Sequence, residues 1–159
     1  MAKATSKRTA KKAGTSAKAA AAKQEPGLVY ATGKRKTAVA RAAVRPGSGR
    51  LTINSKPLDV WGIEIFRMWI REPLALAEEA AAKADIDVIV RGGGIPSQAE
   101  AIRIAIARGL VKLTKDDALK DRLLEYDRGL LVYDFRRTEV HKPSRSRKGA
   151  RRHKQRSKR

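Results

Sequence analysis

A cluster of cationic side chains without any acidic residue occurs between positions 34 and 50. Its members are Lys34, Arg35, Lys36, Arg41, Arg45 and Arg50. Lysine and arginine bind phosphate groups, and arginine can do so through two parallel hydrogen bonds. On a strand, Arg41 and Arg45 share one face with Val39 and Ala43, near the spacing of phosphates along a nucleic-acid backbone. The pattern predicts a strand that binds a polyanion, and a merely solvated strand face is the alternative.

The two ends of the chain carry most of the formal net charge, which is +21 in total. Residues 1–27 hold seven lysines and arginines against one acid, and residues 136–159 hold twelve against one, whereas residues 51–135 hold twelve against fourteen. Clustered cations repel one another until phosphates come between them and counterions are released. The charge distribution therefore predicts a polyanionic partner. A membrane is less well supported, because the ends lack large apolar anchors and no run of about eighteen apolar residues is present.

Three consecutive glycines, Gly92, Gly93 and Gly94, separate a β-branched run at 87–90 from an apolar run with helical spacing at 97–113. Glycine gives the backbone the freedom that such a turn needs, and Ser97 with Glu100 has the sequence of a capping box that would begin the helix. A dinucleotide-binding loop would need a glycine in place of Ser97, and no P-loop lysine follows. We interpret these residues as a tight structural turn. An anion at the helix N-terminus is the alternative, and an RNA phosphate would then be favoured over a free nucleotide.

Residues for catalysis or metal binding are scarce. The chain has no cysteine and only two histidines, His141 and His153, which both lie in the basic C-terminal segment. No carboxylate pair, and no nucleophile with a nearby base, accompanies the glycine turn. We predict no enzymatic activity, no metal, no cofactor and no small-molecule substrate, and the lack of cysteine fits a reducing cytoplasmic location. Trp61 and Trp69 lie among apolar residues and are expected in the core, not as platforms for stacked bases.

The elements that must position these residues follow from periodicity and turn residues. Residues 28–54 predict β structure, with a hairpin turn at 46–49 and a second turn at 54–57. Residues 62–82 predict a helix that Pro73 kinks or divides. The central helix is apolar on two faces, and Gly109 inside it indicates close approach of another backbone. An amphipathic helix at 116–126, capped by Thr114 or Asp116, and a final strand or strand-like segment at 129–133 complete the domain.

Composition divides the chain into three parts. Residues 1–27 are a low-complexity mixture of alanine, lysine, serine and threonine that cannot bury enough apolar surface to order itself, so they are expected to form a disordered basic extension. Residues 28–135 form the globular domain. Residues 136–159 lack an apolar pattern and are expected to form an extended basic tail that could reach about 80 Å.

Five sequence blocks form a pattern that is specific when they are taken together. They are GKRKTAVARA at 33–42, RPGSGRLTIN at 45–54, RGGGIPSQAEAIRIAIARGLV at 91–111, YDRGLLVYDFRR at 126–137 and GARRHKQRSKR at 149–159. The pattern resembles the small-subunit ribosomal protein S9 family, and the likeness runs from Tyr30 to Arg159. The dipeptide at 61–62 and HKPSRS at 141–146 resemble the archaeal and eukaryotic branch. Two positions depart from the pattern: Ser97 stands where many members have glycine, and the final Ser-Lys-Arg is typical of bacterial members.

The resemblance implies an α+β fold, with a four-stranded sheet, helices packed on it and a left-handed β-α-β crossover. It also implies a structural place in the head of the small ribosomal subunit, beside neighbouring head proteins, with a role in translation in the cytoplasm. The residues assigned to small-subunit rRNA are Lys34, Arg35, Lys36, Arg41, Arg45, Arg50, Arg136, Arg137, Lys142, Arg145, Arg147, Lys148, Arg151, Arg152, Lys154 and Arg156. The tail would reach the anticodon stem-loop of the peptidyl-site tRNA through Ser157, Lys158 and Arg159.

Two other classes of protein share parts of this pattern. A DNA-compacting, chromatin-type protein would account for residues 1–27 but not for the patterned middle of the chain. An enzyme with an anionic substrate at the glycine turn would need catalytic groups that the sequence does not place there.

Overall fold

A single long helix lies across a five-stranded sheet in the computed structural model, which describes residues 27–136. The strands are β1 (Val29–Arg35), β2 (Ala38–Pro46), β3 (Leu51–Ile53), β4 (Lys56–Pro57) and β5 (Ala84–Arg91). The helices are α1 (Glu64–Leu76), α2 (Glu78–Ala82), α3 (Ile95–Thr114) and α4 (Asp117–Tyr126), with 3₁₀ turns at Leu58–Val60 and Arg128–Leu130. The predicted α+β class is confirmed. The predicted four-stranded sheet is wrong, because the two-residue β4 adds a fifth strand at one edge.

Residues 1–26 and 137–159 lie outside the described part of the chain. The predictions of a disordered N-terminal extension and of an extended C-terminal tail therefore fall almost entirely outside it. The boundaries predicted for the three parts of the chain stay predictions.

The order of the strands across the sheet is β1-β2-β5-β3-β4. The β1–β2, β2–β5 and β3–β4 pairs are antiparallel, and β3 and β5 are parallel neighbours joined through α1 and α2. This connection is the β-α-β unit that the resemblance implies, and its handedness stays a prediction. At the end of β3, the Asn54 side chain accepts a hydrogen bond from the Val90 amide (2.9 Å) and donates one to the Val90 carbonyl (3.3 Å). Asn54 therefore extends the pairing with β5 beyond the last residue of β3.

The hairpin predicted at 46–49 is wrong, because β5 lies between β2 and β3. The backbone of this loop is bonded to the start of β5 instead of closing on itself. Gly47 donates to the Lys83 carbonyl (2.9 Å), and the N–H groups of Ser48 and Arg50 donate to the Asp85 carboxylate (2.9 and 3.1 Å). The second turn is present, with Asn54 and Ser55 both at positive φ (49° and 65°), as a tight two-residue hairpin turn requires.

The final strand predicted at 129–133 is also wrong. The Asp127 carboxylate accepts a hydrogen bond from the Gly129 N–H (2.7 Å), which begins the 3₁₀ turn Arg128–Leu130. Leu130 is fully buried, so the turn inserts an apolar side chain into the core. Local side-chain hydrogen bonding and one buried leucine therefore replace the expected pairing with a sheet.

The capping box predicted at Ser97 and Glu100 is wrong as well. The N-cap of helix α3 is Gly94, three residues earlier than predicted, so the helix begins at Ile95. A proline is tolerated in the first turn of a helix, where its missing N–H has no helical partner in any case, so Pro96 lies inside the helix that it was expected to precede. Glu100 forms an ion pair with Arg35 on β1 and does not reach back to a cap.

The helix predicted at 62–82 is divided into α1 and α2, but the break is at Ala77, four residues after Pro73. Pro73 itself is buried inside α1. Trp61 and Trp69 are half-buried against the core, and the rings of Phe66 and Trp69 meet edge to face at 5.2 Å, so their expected packing role is confirmed. The predicted cap of α4 is also confirmed, since the Asp116 carboxylate accepts from the Ala118 N–H at 2.9 Å.

Helix α3 packs on β1 and β2 through side chains that are almost all small. The buried residues on the two sides of this contact are Ala31, Ala38, Ala40, Ala42, Ala101 and Ala105. A Cβ added to Gly109 would lie 2.6 Å from Val44 Cγ2, and one added to Gly33 would lie 2.7 Å from the Ala105 amide nitrogen and overlap the Ala101 carbonyl. Gly109 lies in a close contact, but its neighbours there are the side chains of Val44 and Ala31 and not the backbone that was predicted. Backbone meets backbone at Gly33, so the distance between helix and sheet is set there.

We expect Gly33→Ala to destabilise the domain by at least about 1–3 kcal/mol, because the added methyl group meets backbone atoms that no side-chain rotation can move. Urea unfolding of the full chain followed by circular dichroism measures this effect. Gly94→Ala is the matched control, since its added Cβ would meet only Pro96 Cδ at 3.9 Å and should cost less than about 1 kcal/mol, the penalty for alanine at a helix N-cap. Equal unfolding midpoints for the two variants would contradict the packing argument.

Candidate nucleic-acid interface

The sheet has one face covered by α3 and one face that carries exposed side chains. In β2 the residues Ala38, Ala40, Ala42 and Val44 are fully buried, whereas Arg41 and Arg45 between them are exposed. The alternation predicted for this strand is therefore present. We call the exposed side the open face, and its residues on the three long strands are Tyr30, Thr32, Lys34, Val39, Arg41, Ala43, Arg45, Asp85, Asp87, Ile89 and Arg91.

Strand register brings four cations together at one end of the open face. Lys34 and Arg91 both pair with Val39, from opposite sides, and Arg41 lies between Thr32 and Ile89 in the next row. Lys34 and Arg91 are therefore about two strand spacings, or ~10 Å, apart. Lys36 is exposed in the two-residue turn that joins β1 to β2. We call Lys34, Lys36, Arg41 and Arg91 the basic end, and within residues 27–136 none of these four side chains forms an ion pair.

The sequence interpretation missed Arg91. It is the last residue of β5, directly before the glycine turn, and it lies on the open face because it alternates with buried Val90. That alternation was visible in the sequence. Its nearness to Lys34 and Arg41 was not, because nothing in the sequence indicated that β5 pairs with β2.

The opposite end of the open face is electrically neutralised. Arg45 Nη2 lies 3.3 Å from the Asp87 carboxylate, and Arg45 Nε lies 4.0 Å from that of Asp85. The backbone N–H groups of Arg50 and Ser48, followed by the charge of Arg45, hold the pKa of the Asp85 carboxyl below its usual value. Arg45 thus belongs to an internal network, and Arg50 contributes its backbone to the same network while its side chain is exposed.

Arg35 occupies a different environment from its neighbours Lys34 and Lys36. Residues 31, 33 and 35 alternate toward α3, so the Arg35 side chain lies on the helix side of β1. It forms ion pairs with Glu100 on α3 and with Asp134 in the C-terminal segment, and only 17% of the side chain is exposed. Its charge is therefore satisfied within the domain, which argues against the RNA contact predicted for it.

The remaining cations of the predicted site lie near or beyond the end of the described chain. Arg136 is exposed and pairs with Asp134 at 3.3 Å. The other predicted site residues lie outside residues 27–136. They are Arg137, Lys142, Arg145, Arg147, Lys148, Arg151, Arg152, Lys154, Arg156, Ser157, Lys158 and Arg159.

The glycine turn packs directly against the tip of the β1–β2 hairpin. Gly92 and Gly93 have positive φ angles (75° and 68°), and a Cβ at Gly92 would lie 2.7 Å from the Thr37 carbonyl oxygen. Glycine is needed there for both conformation and space. The contact places the start of α3 beside the basic end.

Residues 27–136 contain no group of histidine, cysteine, aspartate or glutamate side chains that could hold a metal ion, and no helix among them is long and apolar enough to cross a membrane.

Comparison with known proteins gives one consistent family. Residues 33–159 match the family described as Ribosomal protein S9/S16. The chain is 48% identical over 130 residues to the small ribosomal subunit protein uS9 of Methanococcus maripaludis, an alignment that covers 82% of this chain and 97% of the relative. It is 52% identical over 120 residues to the protein of the same name from Pyrobaculum aerophilum, with 76% and 84% covered.

The Asp85 network makes a prediction about pH. Because the folded-state pKa of Asp85 lies below its ordinary value of 3.8, its stabilising effect is present above that pH and is lost as pH falls through the lower folded value. Asp85→Asn should therefore have a lower Tm than the wild type at pH 7, and the two Tm values should converge below about pH 4. Thermal unfolding measured from pH 7 downwards tests this. The control is Asp121→Asn, which removes an exposed acid on α4; a pH-independent gap for Asp85→Asn would contradict the assignment.

Proposed function

The chain belongs to the ribosomal protein S9 family, in its archaeal form, and on this premise we propose that it binds small-subunit rRNA through the basic end of its sheet and through its C-terminal cations. It is a structural protein of the small ribosomal subunit with a role in translation, and it is not an enzyme. The proposal extends to its cytoplasmic location within the ribosome and to contacts with neighbouring proteins of the subunit head.

The observation that carries the proposal is the difference between paired and unpaired cations. Several arginines of the domain form hydrogen bonds or ion pairs within the protein. They are Arg35, Arg45, Arg103 and Arg108. The four cations of the basic end point away from α3 and have no acid partner in the described domain. Unpaired clustered cations repel one another, and phosphates brought between them remove that repulsion.

The side chains of the open face fit recognition of the RNA backbone and not of particular bases. Ile89 is 56% exposed and pairs with Arg41, so an exposed apolar side chain lies among the cations of the basic end. A strand surface of this kind can contact a sugar–phosphate backbone or a shallow RNA minor groove, with Lys and Arg on the phosphates. Recognition would depend on the shape and position of the RNA.

Lys36 supports the proposal by its position and not by its backbone conformation. Its φ is 53°, in the left-handed region that costs a residue with a Cβ roughly 1–2 kcal/mol relative to glycine. Lys115 has a similar φ of 54°, so it is the position of Lys36 beside the other three cations that makes its exposed charge relevant to RNA binding.

We also propose the role of the tail from the family resemblance. Its arginines, including Arg151, Arg152 and Arg156, would follow an rRNA path, and Ser157, Lys158 and Arg159 would approach the anticodon stem-loop of the peptidyl-site tRNA. The end of the described domain lies near the tip of the β1–β2 hairpin, because Asp134 pairs with Arg35, the neighbour of Lys36. Arg35 lies on the helix side of β1, so this contact is on the opposite side of the strand from the open face.

Removal of single cations from the basic end should weaken binding to small-subunit rRNA and reduce its salt dependence. For Lys36→Gly, Arg41→Ala and Arg91→Ala, the slope of log K against log salt should become shallower by about 0.7–0.9 for each phosphate that the variant no longer neutralises. Lys36→Gly should at the same time unfold at an equal or higher temperature, since it relieves the positive φ. Filter binding over a range of salt concentrations measures both affinity and slope.

Lys120→Ala is the matched control for these variants. It removes the same charge from α4, where Lys120 lies 3.6 Å from Asp117. If this variant bound rRNA as weakly as Arg41→Ala, net charge and not the basic end would account for the binding.

Deletion of Lys158 and Arg159 should leave incorporation into small subunits intact while weakening tRNA binding at the peptidyl site, because the last residues would contact tRNA and the rest of the chain would hold rRNA. Co-sedimentation with subunits and tRNA filter binding on those subunits measure the two effects. The double variant Lys11→Ala/Lys12→Ala removes two charges from the N-terminal extension as a control. Loss of incorporation on deletion, or an equal loss of tRNA binding in the control, would contradict this division of roles.

A further inference from the structure

We propose that Arg35, Arg103 and Arg108 form a clamp that fixes the point at which the C-terminal tail leaves the domain, and that Arg35 acts through this clamp and not through contact with RNA. The proposal rests on the tail function proposed above and adds a positioning device to it. It is carried by residues 127–136, which follow α4 and run back over α3 toward β1.

Each arginine of the clamp joins this segment to a different part of the domain. Arg103 on α3 forms ion pairs with Glu72 on α1 (2.7 Å) and with Asp127. Arg108 on α3 donates to the Leu131 carbonyl through Nε and Nη2 (3.1 and 2.8 Å) and to the Thr32 carbonyl through Nη1 (2.9 Å). Arg35 on β1 joins Asp134 to Glu100 on α3. The segment is therefore held at three successive points along its length.

Residues 131–136 form neither helix nor strand, and Val132 and Phe135 are 38% and 84% exposed. Leu130 is the last fully buried side chain of the described chain, and Leu131 packs partly against the core. The Leu131 and Val132 amides donate to the Arg128 carbonyl (3.3 and 3.0 Å). Beyond these contacts, Arg108 and Arg35 tie the segment to α3 and β1 at Leu131 and Asp134.

Asp134 is the final fixed point and organises the first residue of the tail. One of its carboxylate oxygens accepts from the N–H of Arg136 (2.9 Å) and from the Arg136 guanidinium (3.3 Å), while the other faces Arg35. The Asp134 carboxylate therefore joins Arg35 on β1 to Arg136, the last described residue of the chain. A cleft of about 630 Å³ lies beneath the segment, between it and α3, so the segment bridges the domain surface and does not pack flat on it.

The clamp would act by keeping the tail at a high effective concentration near its target. Residues 137–159 give a tether of 23 residues when the chain is held at Asp134 and Arg136. If the contacts of Arg108 and Arg35 opened, the tether would begin after the buried Leu130 and would also lose its fixed direction. Longer and less directed tethers lower the effective concentration at a distant site, so we expect tRNA binding at the peptidyl site to weaken by about two- to fivefold.

Substitution of Asp134 distinguishes the clamp from simple attraction between cations and phosphates, because Asp134 carries a negative charge. Asp134→Asn raises the net positive charge, so it would leave RNA binding equal or stronger if only phosphate attraction mattered. If the clamp operates, Asp134→Asn and Arg35→Ala each weaken tRNA binding, the double variant is no weaker than either single one, and Asp134→Glu restores most of the binding. Asp121→Asn, which removes an exposed acid from α4, should have no effect.

Amide hydrogen exchange of the free full-length protein provides a second, independent measurement. Opening of the clamp should accelerate exchange at residues 131–136 in both Asp134→Asn and Arg35→Ala, while exchange in α3 remains slow. Unchanged exchange, or normal tRNA binding by Asp134→Asn on incorporated subunits, would overturn the clamp. A lack of effect from deleting Lys158 and Arg159 would refute the proposed tail function instead, and the exchange rates would still decide whether the clamp exists.

Discussion

The contact between α3 and the β1–β2 hairpin is the constraint on which the rest of the structure depends. At Gly33 the strand and the helix backbones touch, and at Gly109 the helix rests on Val44, so the two layers are separated by little more than alanine side chains. Because this interface is so close, the strands must present their small residues to the helix without a slip in register. The alternate residues, which include Arg41, are then directed away from α3.

This geometry gives adjacent residues of one basic block different roles. Arg35 faces α3 and is neutralised by Glu100 and Asp134, whereas Lys34 and Lys36 remain without an acid partner in the described domain. The same rule separates Arg45, which is paired with Asp87, from Arg41 two rows away. Sequence clustering of cations therefore indicates a polyanion-binding region, but the side of the sheet on which each residue lies decides which cations are free to bind.

After the 3₁₀ turn that buries Leu130, the segment that follows α4 makes polar contacts with three arginines. Arginines are well suited to this, because one guanidinium can donate to two or three acceptors on different elements at once, as Arg108 does with Leu131 and Thr32. Burial lowers the pKa of Arg108 from its ordinary value, yet an arginine stays protonated at neutral pH and keeps its donors. The segment can therefore be fixed without a large apolar core of its own.

Much of the fold and part of the candidate site were determined by the sequence alone, since they depend on local patterns. Alternation predicted the two faces of β2, spacing predicted the central helix, and Gly109 predicted a close contact, and each of these signals involves residues that are near one another in the chain. Three predictions failed for a common reason. The hairpin at 46–49, the strand at 129–133 and the cap at Ser97 were all decided by distant partners or by packing, namely β5, buried Leu130 and the ion pair of Glu100 with Arg35 on β1.

The tertiary structure also decided the composition of the basic end. Arg91 belongs to this group of unpaired cations and Arg35 does not, because Arg35 is paired with Glu100 and Asp134, although it lies between Lys34 and Lys36 in the sequence. Neither change could be read from the chain, because pairing of β2 with β5 and the approach of Asp134 to β1 join residues that are about fifty to a hundred positions apart. Local chemistry determined that this protein carries clustered positive charge, and long-range packing determined which of those charges remain available to a partner.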